Sequence, residues 1–249
     1  MAFNPNKYKI ERKYIAKREN TRPGTKLVSG TPKFFVAHDT GNPGAGADNH
    51  YNYFNTMTDR SASAHTFIDD KKILEIIPTG TGSDAAEKAW HVIYNVTTDN
   101  QRFGDDANDI AIGTELCFGG NINFNEAYAR FVWYHAFLCH KFGKDPEKYI
   151  VGHEHLDPGR KTDPSNALKR YGKTYDQFIA DVKKELAGEG EEDNVLKLTD
   201  YQWGVVVSNV QNLLDAKVIN DKSWLTKAKD RSLTVSELTW LTFVVTTRK

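Results

Sequence analysis

The 249-residue sequence has only two cysteines, Cys117 and Cys139. That excludes a disulfide framework and a four-cysteine zinc site, and makes two reduced, mostly buried thiols the expectation. No sign of charge dominates: 33 basic residues balance 33 acidic ones, so no global basic field points to nucleic acid. Long apolar runs are also missing. The best, at 204–207 and 241–245, fall far short of the roughly 20 residues a membrane span needs. The N-terminus carries charges with no apolar stretch behind them, so it does not read as a secretory signal. The expectation is a protein made in the cytoplasm that meets an outside target only after release. What the chain does have is 39% hydrophobic and 12% aromatic residues, enough for a packed core and too much for a mainly disordered chain.

Residues 188–194, Gly-Glu-Gly-Glu-Glu-Asp-Asn, hold four acids, two glycines and no apolar residue, and read as a flexible linker. This divides the chain into 1–187 and 195–249. The first part mixes strands and helices. Lys33-Phe-Phe-Val-Ala-His38 reads as a buried strand, with Asp48 as the cap of a short helix after it. Residues 64–68 and 73–77 read as a hairpin, and 109–117 as another strand. Apolar spacing predicts a helix over 125–142 ended by Gly143, with Trp133 and Tyr134 in the core. A second, over 175–186, opens on a Thr174/Gln177 capping box. The expected fold is a mixed, central β-sheet with helices packed on it. The second part reads as a small helical module, with capping boxes at Thr199/Gln202 and Thr234/Glu237 and an apolar stripe from Trp203 to Leu214.

Three polar residues stand where strands end or loops begin: His38 before a glycine-rich loop, His153 after Ile150-Val-Gly152, and Asp163 ten residues on. Two imidazoles and a carboxylate suit a catalytic zinc, because they leave a fourth position for water. Ordinary hydrogen-bonded histidines are the alternative from composition alone. His153-Glu-His155 is not a helical His-Glu-x-x-His motif, since alternate residues do not share a helix face.

Six fragments occur in order: Phe34-Phe-Val-Ala-His-Asp-Thr40, Ser63-Ala-His-Thr-Phe-Ile-Asp69, Ala89-Trp-His91, Ile112-Gly-Thr-Glu-Leu116, Val151-Gly-His-Glu-His155 and Lys161-Thr-Asp-Pro164. Together the chain over about 30–187 resembles the zinc-dependent N-acetylmuramoyl-L-alanine amidases related to peptidoglycan recognition proteins. With its small extra module it is similar to phage or prophage endolysins acting on a Bacillus-type wall. The resemblance implies zinc held by His38, His153 and Asp163, Glu115 as general base, and Lys161 as the stabiliser of the oxyanion. Its Trp90-His91 segment resembles a wall of the family's substrate cleft, so both are expected to contact substrate, while His65, which alternates with Phe67 on a strand, either contacts substrate too or makes a structural hydrogen bond. Some phage relatives place a tyrosine before the histidine of the second strand; here Ala64 stands there, which shifts acid–base work onto Glu115. The partner so implied is peptidoglycan. Rival readings are a peptidoglycan-binding protein of the same fold without activity, and a zinc peptidase cutting within the stem peptide. Residues 195–249 carry 8 basic and 5 acidic residues, a net +3, and three tryptophans. That composition suits attachment to anionic wall polymers, with self-association as the alternative.

Overall fold

The computed structural model describes residues 3–94, 96–188 and 196–247. It divides into two compact units, Met1–Gly190 and Glu191–Lys249. Apart from Gly188, the expected linker lies outside the described residues.

The first unit runs β1 (Ile10–Arg12), β2 (Phe34–Asp39), α1 (Ala47–Thr56), β3 (Thr66–Ile68), β4 (Ile73–Glu75), α2 (Thr98–Phe103), α3 (Ala107–Ile110), β5 (Ala111–Leu116), α4 (Phe124–Phe142), α5 (Pro146–Tyr149), β6 (Ile150–Gly152), α6 (His153–Leu156), α7 (Ser165–Arg170) and α8 (Tyr175–Leu186). The strands form one sheet in the order β1-β4-β3-β5-β2-β6. The β3–β4 pair is antiparallel and the other pairs are parallel, so the sheet is mixed, as expected. Every residue of β2 is buried, which is why it reads as a continuous apolar run and not an alternating one.

Alternation along β2 separates two cores. Phe35 and Ala37 pack with Ile112 and Leu116 against Phe131, Tyr134 and Leu138 of α4 and Phe178 and Val182 of α8. Phe34 and Val36 pack on the other face with Ala111, Val151 and Leu156. A third cluster, around Ile15, Phe67, Leu74 and Ile76, fills the space beneath α1. Each buried phenylalanine contributes about 1.5–3 kcal/mol. Trp133 and Tyr134 are fully buried, as are both cysteines, which are unpaired. Burial pushes the Cys139 thiol up to about 12.

Helix α4 starts where Asn123 Oδ1 accepts the amides of Asn125 and Glu126, and stops at Gly143, whose φ of 64° is left-handed. Asp48 does not cap α1. It sits in the first turn and pairs with Lys72, while Asp69 does the tying: its Oδ2 accepts the Ala47 amide and its Oδ1 accepts the amides of Lys71 and Lys72. One carboxylate thus closes the β3–β4 turn and anchors the helix start. The Thr174 box is half-formed: Thr174 Oγ1 accepts the Gln177 amide, but the Gln177 side chain turns to Asp181.

In the second unit α9 (Asp200–Asp215), α10 (Ser223–Lys229) and α11 (Val235–Thr247) surround Trp203, Val210, Ile219, Ala228, Leu233 and Leu241. Both expected capping boxes are present, with reciprocal bonds between Thr199 and Gln202 and between Thr234 and Glu237. Trp203 is core and Trp224 half-buried, whereas Trp240 and Phe243 of α11 stack with ring centroids 5.7 Å apart and are each 57% exposed. Among the described residues no helix is long and apolar enough to cross a membrane.

Candidate active site

Strands β2, β3, β5 and β6 run parallel, so their carboxyl ends and the loops after them gather at one edge of the sheet, where ligands of open α/β sheets bind. The β2–β5 register pairs His38 with Glu115, which puts both side chains on the same face. On the other side of β2, Ala37 pairs with Gly152, so His153 leaves β6 beside His38 as the first residue of α6. Tyr175 of α8 pins that exit: its hydroxyl donates to the Ile150 carbonyl at 2.9 Å and accepts the Gly152 amide at 3.2 Å.

Asp163 arrives from the loop between α6 and α7, and Asp39 holds that loop. Pointing to the opposite face from His38, Asp39 accepts the Ala167 amide at 2.9 Å, the Asn166 side chain at 3.1 Å and the Gly41 amide at 3.0 Å. The Glu154 amide also donates to the Asp163 carbonyl at 3.0 Å.

The outcome is a convergence on one oxygen. Asp163 Oδ2 lies 2.9 Å from His38 Nδ1 and 3.1 Å from His153 Nδ1. One donor atom from each of the three residues falls within 4.8 Å of the others. Burial, reinforced by His153, lowers the His38 pKa to about 4, so its imidazole is neutral at pH 7. Burial alone would raise the Asp163 carboxyl. The hydrogen bonds and charges of His153 and His38 outweigh it and hold the group well below the ordinary carboxylate range. Neutral imidazole beside ionised carboxylate is the donor chemistry a divalent transition ion requires, so these residues fit a metal.

Glu115 stands beside this cluster with its Oε2 enclosed and without a hydrogen-bond partner. Burial, then the charges of Asp163 and Asp39, push its carboxyl well above the usual range, and Lys161 opposes them. Lys161 is half-buried, its backbone fixed by a bond from its amide to the Asp157 carbonyl at 2.9 Å.

The three residues expected to contact substrate lie near one another but differ in their surroundings: the His65 and His91 rings meet edge-on with centroids 5.6 Å apart, and Trp90 precedes His91 in the chain. His65 is fully buried, its Nε2 donating to the Glu87 carbonyl at 2.8 Å and its Nδ1 accepting the Gly113 amide at 3.0 Å. With both nitrogens bound to backbone, the expectation of a substrate contact is corrected to an internal tie between strands. Trp90 is half-buried, with its indole N–H on the Glu19 carbonyl and Lys88 over its ring. His91 is buried, and its Nδ1 lies 3.2 Å from His38 Nε2. His155 is exposed and packs edge-on to Tyr175.

The roles of three residues of this region are not given by the motifs: Asp39 as the anchor of the Asp163 loop, Asn108 as the partner of the His91 backbone, and Gly113 beneath the His91 ring. A glycine in the middle of an otherwise bulky strand is the one signal that a group approaches there.

A parallel strand edge carrying two histidines, an aspartate and an isolated glutamate defines a candidate metallohydrolase centre. Residues 29–166 match the family described as N-acetylmuramoyl-L-alanine amidase, and the chain belongs to that family. It is 35% identical over 182 residues to the N-acetylmuramoyl-L-alanine amidase BlyA of Bacillus subtilis (strain 168), a match covering 71% of this chain and 47% of that protein. The chain spans about half the length of the curated relatives it matches. Among solved structures, the catalytic domain of XlyA is 26% identical with a TM-score of 0.54, covering 69% of this chain and 97% of that one. A mutant endolysin from Bacillus subtilis gives the same identity and TM-score over 70% and 99%.

Proposed function

We propose that this chain is a zinc-dependent peptidoglycan hydrolase that cleaves the amide between the lactyl group of N-acetylmuramic acid and L-alanine, and acts on the cell wall as an endolysin. The observation that carries the reading is the convergence of His38 Nδ1, His153 Nδ1 and Asp163 Oδ2 beside an unpartnered Glu115, in a member of the amidase family. Zinc, when bound by those three residues, supplies a Lewis acid that polarises the amide carbonyl and makes water a competent nucleophile near neutral pH. Glu115 takes the proton from the attacking water and delivers it to the departing nitrogen. Lys161 stabilises the negative charge that develops on the carbonyl oxygen. Water oxygen joins the carbonyl carbon, the C–N bond breaks, and the products are a lactyl carboxylate and a peptide with a free L-alanine amine. Mass spectrometry of digested peptidoglycan tests this. Free stem peptides beginning with L-alanine are expected; cuts inside the stem would make the chain a peptidase, and binding without products would make it a recognition protein.

The second unit fits attachment to anionic wall polymers. Residues 195–249 carry the net +3 charge, and Trp240, Phe243 and Tyr201 put aromatic surface into solvent. Attachment would raise the local concentration of enzyme at its substrate. A fluorescent fusion of 195–249 should stay on walls through a moderate-salt wash and leave walls stripped of anionic polymers. No retention, with a dimer mass by light scattering, would assign the module to self-association.

A further inference from the structure

His91 packs into the interior beside the site. It is buried, at 8% exposure, with its Nε2 enclosed and without a hydrogen-bond partner. Its Nδ1 faces His38 Nε2 at 3.2 Å, with the two rings edge-on at centroids 5.3 Å apart. Its backbone is clamped by one side chain: Asn108 Oδ1 accepts the amides of His91 at 2.7 Å and Val92 at 3.0 Å, and Asn108 Nδ2 donates to the Val92 carbonyl at 3.0 Å. The space its ring occupies exists because residue 113 has no side chain. A Cβ on Gly113 would meet His91 Cγ at 2.7 Å and Nδ1 at 2.8 Å, closer than atoms pack. Gly113 lies one side-chain step along β5 from Glu115, on the same face. Clamp, hole and ring together fix where His91 Nδ1 points.

That direction matters because of what His38 must do. Its Nδ1 belongs to the convergent cluster, so a metal there needs the Nδ1 lone pair, and the ring proton must sit on Nε2. A neighbour that accepts a hydrogen bond from Nε2–H selects this tautomer and holds the ring in one orientation. We propose that His91 is the positioning residue for His38: it accepts Nε2–H through Nδ1, carries its own proton on Nε2, and depends on Gly113 for room. This assigns a purpose to the glycine of Ile112-Gly-Thr-Glu115 and to the histidine of Ala89-Trp-His91. It rests on the proposed zinc site.

The test measures zinc affinity by competition with a chromophoric chelator, the visible spectrum of the cobalt-substituted protein, and the melting temperature of the metal-free protein, all on the full chain. His91→Leu should weaken zinc binding about 10- to 100-fold and alter the cobalt bands. His91→Asn, which places an oxygen acceptor near the Nδ1 position, should recover most of the affinity and the parent spectrum. Gly113→Ala should weaken zinc binding by pushing the ring aside, but should cost nothing more in a His91→Ala background, because the ring it displaces is gone. Affinity and spectrum in His91→Leu equal to the parent would overturn the proposal. So would a loss that follows the melting temperature and is not rescued by asparagine, since that is a packing role. If His91→Leu does not fold, His91→Asn and His91→Gln replace it: glutamine reaches the Nε2 position, so tight binding in Asn and weak binding in Gln is expected, and equal binding overturns the proposal. The parent is titrated alongside; a parent without zinc affinity would refute the metal site itself.

Discussion

Replacing Glu115 with glutamine should stabilise the metal-free protein while removing most of its activity. Glu115 Oε2 is enclosed and has no partner, and burial with Asp163 and Asp39 raises its carboxyl well above the ordinary range. The folded state therefore holds a proton that the unfolded chain releases. Stability contributed by this group is present below the ordinary carboxylate pKa and declines as pH rises through the raised one. Glutamine keeps the shape and has no proton to lose. An unpaired buried polar group costs about 1–3 kcal/mol, more when charged. Glutamine stays unpaired but neutral, so the net gain is on the order of 1–2 kcal/mol at pH 8. For a unit of this size that is about 2–8 °C in melting temperature. Chelator-treated parent and variant would be melted at pH 5 and pH 8, with the larger gain expected at pH 8. Added zinc should shrink the gain, because a nearby cation favours the ionised carboxylate. On muropeptide the variant should lose about 100-fold or more in rate. A variant less stable than the parent at pH 8, or a gain independent of pH, would refute the assignment of a strained carboxylate. An unchanged rate would remove Glu115 from the chemistry.

Burial lowers His50, His65 and His135 each to about 4, against roughly 6.5 in the unfolded chain. The unfolded state binds more protons between those values, so stability is full above about pH 6.5 and falls as pH drops towards 4. His135→Gln should reduce the slope of unfolding free energy against pH by up to about one proton near pH 5, and an unchanged slope would show that His135 is not held neutral. Lys161→Met should lower the hydrolysis rate without loss of zinc. Because the Lys161 charge pulls the Glu115 carboxyl down, its removal should also move the acidic limb of the pH–rate profile to higher pH, and loss of metal would instead make the lysine structural. Limited proteolysis should cut first within 188–194 and release a 1–187 fragment that still hydrolyses soluble muropeptides, whereas an unfolded fragment would show that the boundary crosses a shared core.

Elements with an apolar face or run were legible in the sequence, the short β3–β4 hairpin among them, whereas the edge strand and the shortest helices were not. Helix α4 announces itself through Phe131, Tyr134 and Leu138 at helical spacing and through Gly143 at its end. Strand β1 gave no signal: three residues at a half-exposed sheet edge need no apolar alternation. Helices α3, α5 and α6 have four residues each, too few for any period to show. Within the site, His38, Glu115, His153 and Asp163 could be picked out because their chemical types recur in a known order. The His38–His91 contact could not, since 53 positions separate the two and nothing local to Trp90-His91 distinguishes a buried ring from a cleft wall. The choice at His65 between a substrate contact and a structural hydrogen bond stays open in the sequence for the same reason. Alternation with Phe67 fixes its face of the sheet, but only the fold shows that the Glu87 carbonyl and the Gly113 amide already occupy both its nitrogens.

The end of β2 explains why this site tolerates little change in its strand. His38 and Asp39 are consecutive, so they leave the sheet on opposite faces. His38 contributes its Nδ1 to the cluster on one side, while on the other Asp39 accepts the Asn166 and Ala167 groups at the start of α7 and so sets the loop that carries Asp163. The two donors that meet at 2.9 Å are thus placed by neighbouring residues of one strand through separate routes, one direct and one around the far face of the sheet. The register with β5 then sets Glu115 against the same edge. A one-residue slip of β2 would exchange the two faces. It would carry a carboxylate into the cluster and an imidazole into the loop anchor, and put Phe35 and Ala37 where Phe34 and Val36 now pack. Core and site would be lost together. The apolar run of β2, buried on both sides and paired on both edges, is therefore what keeps the polar residues at its end in register with one another.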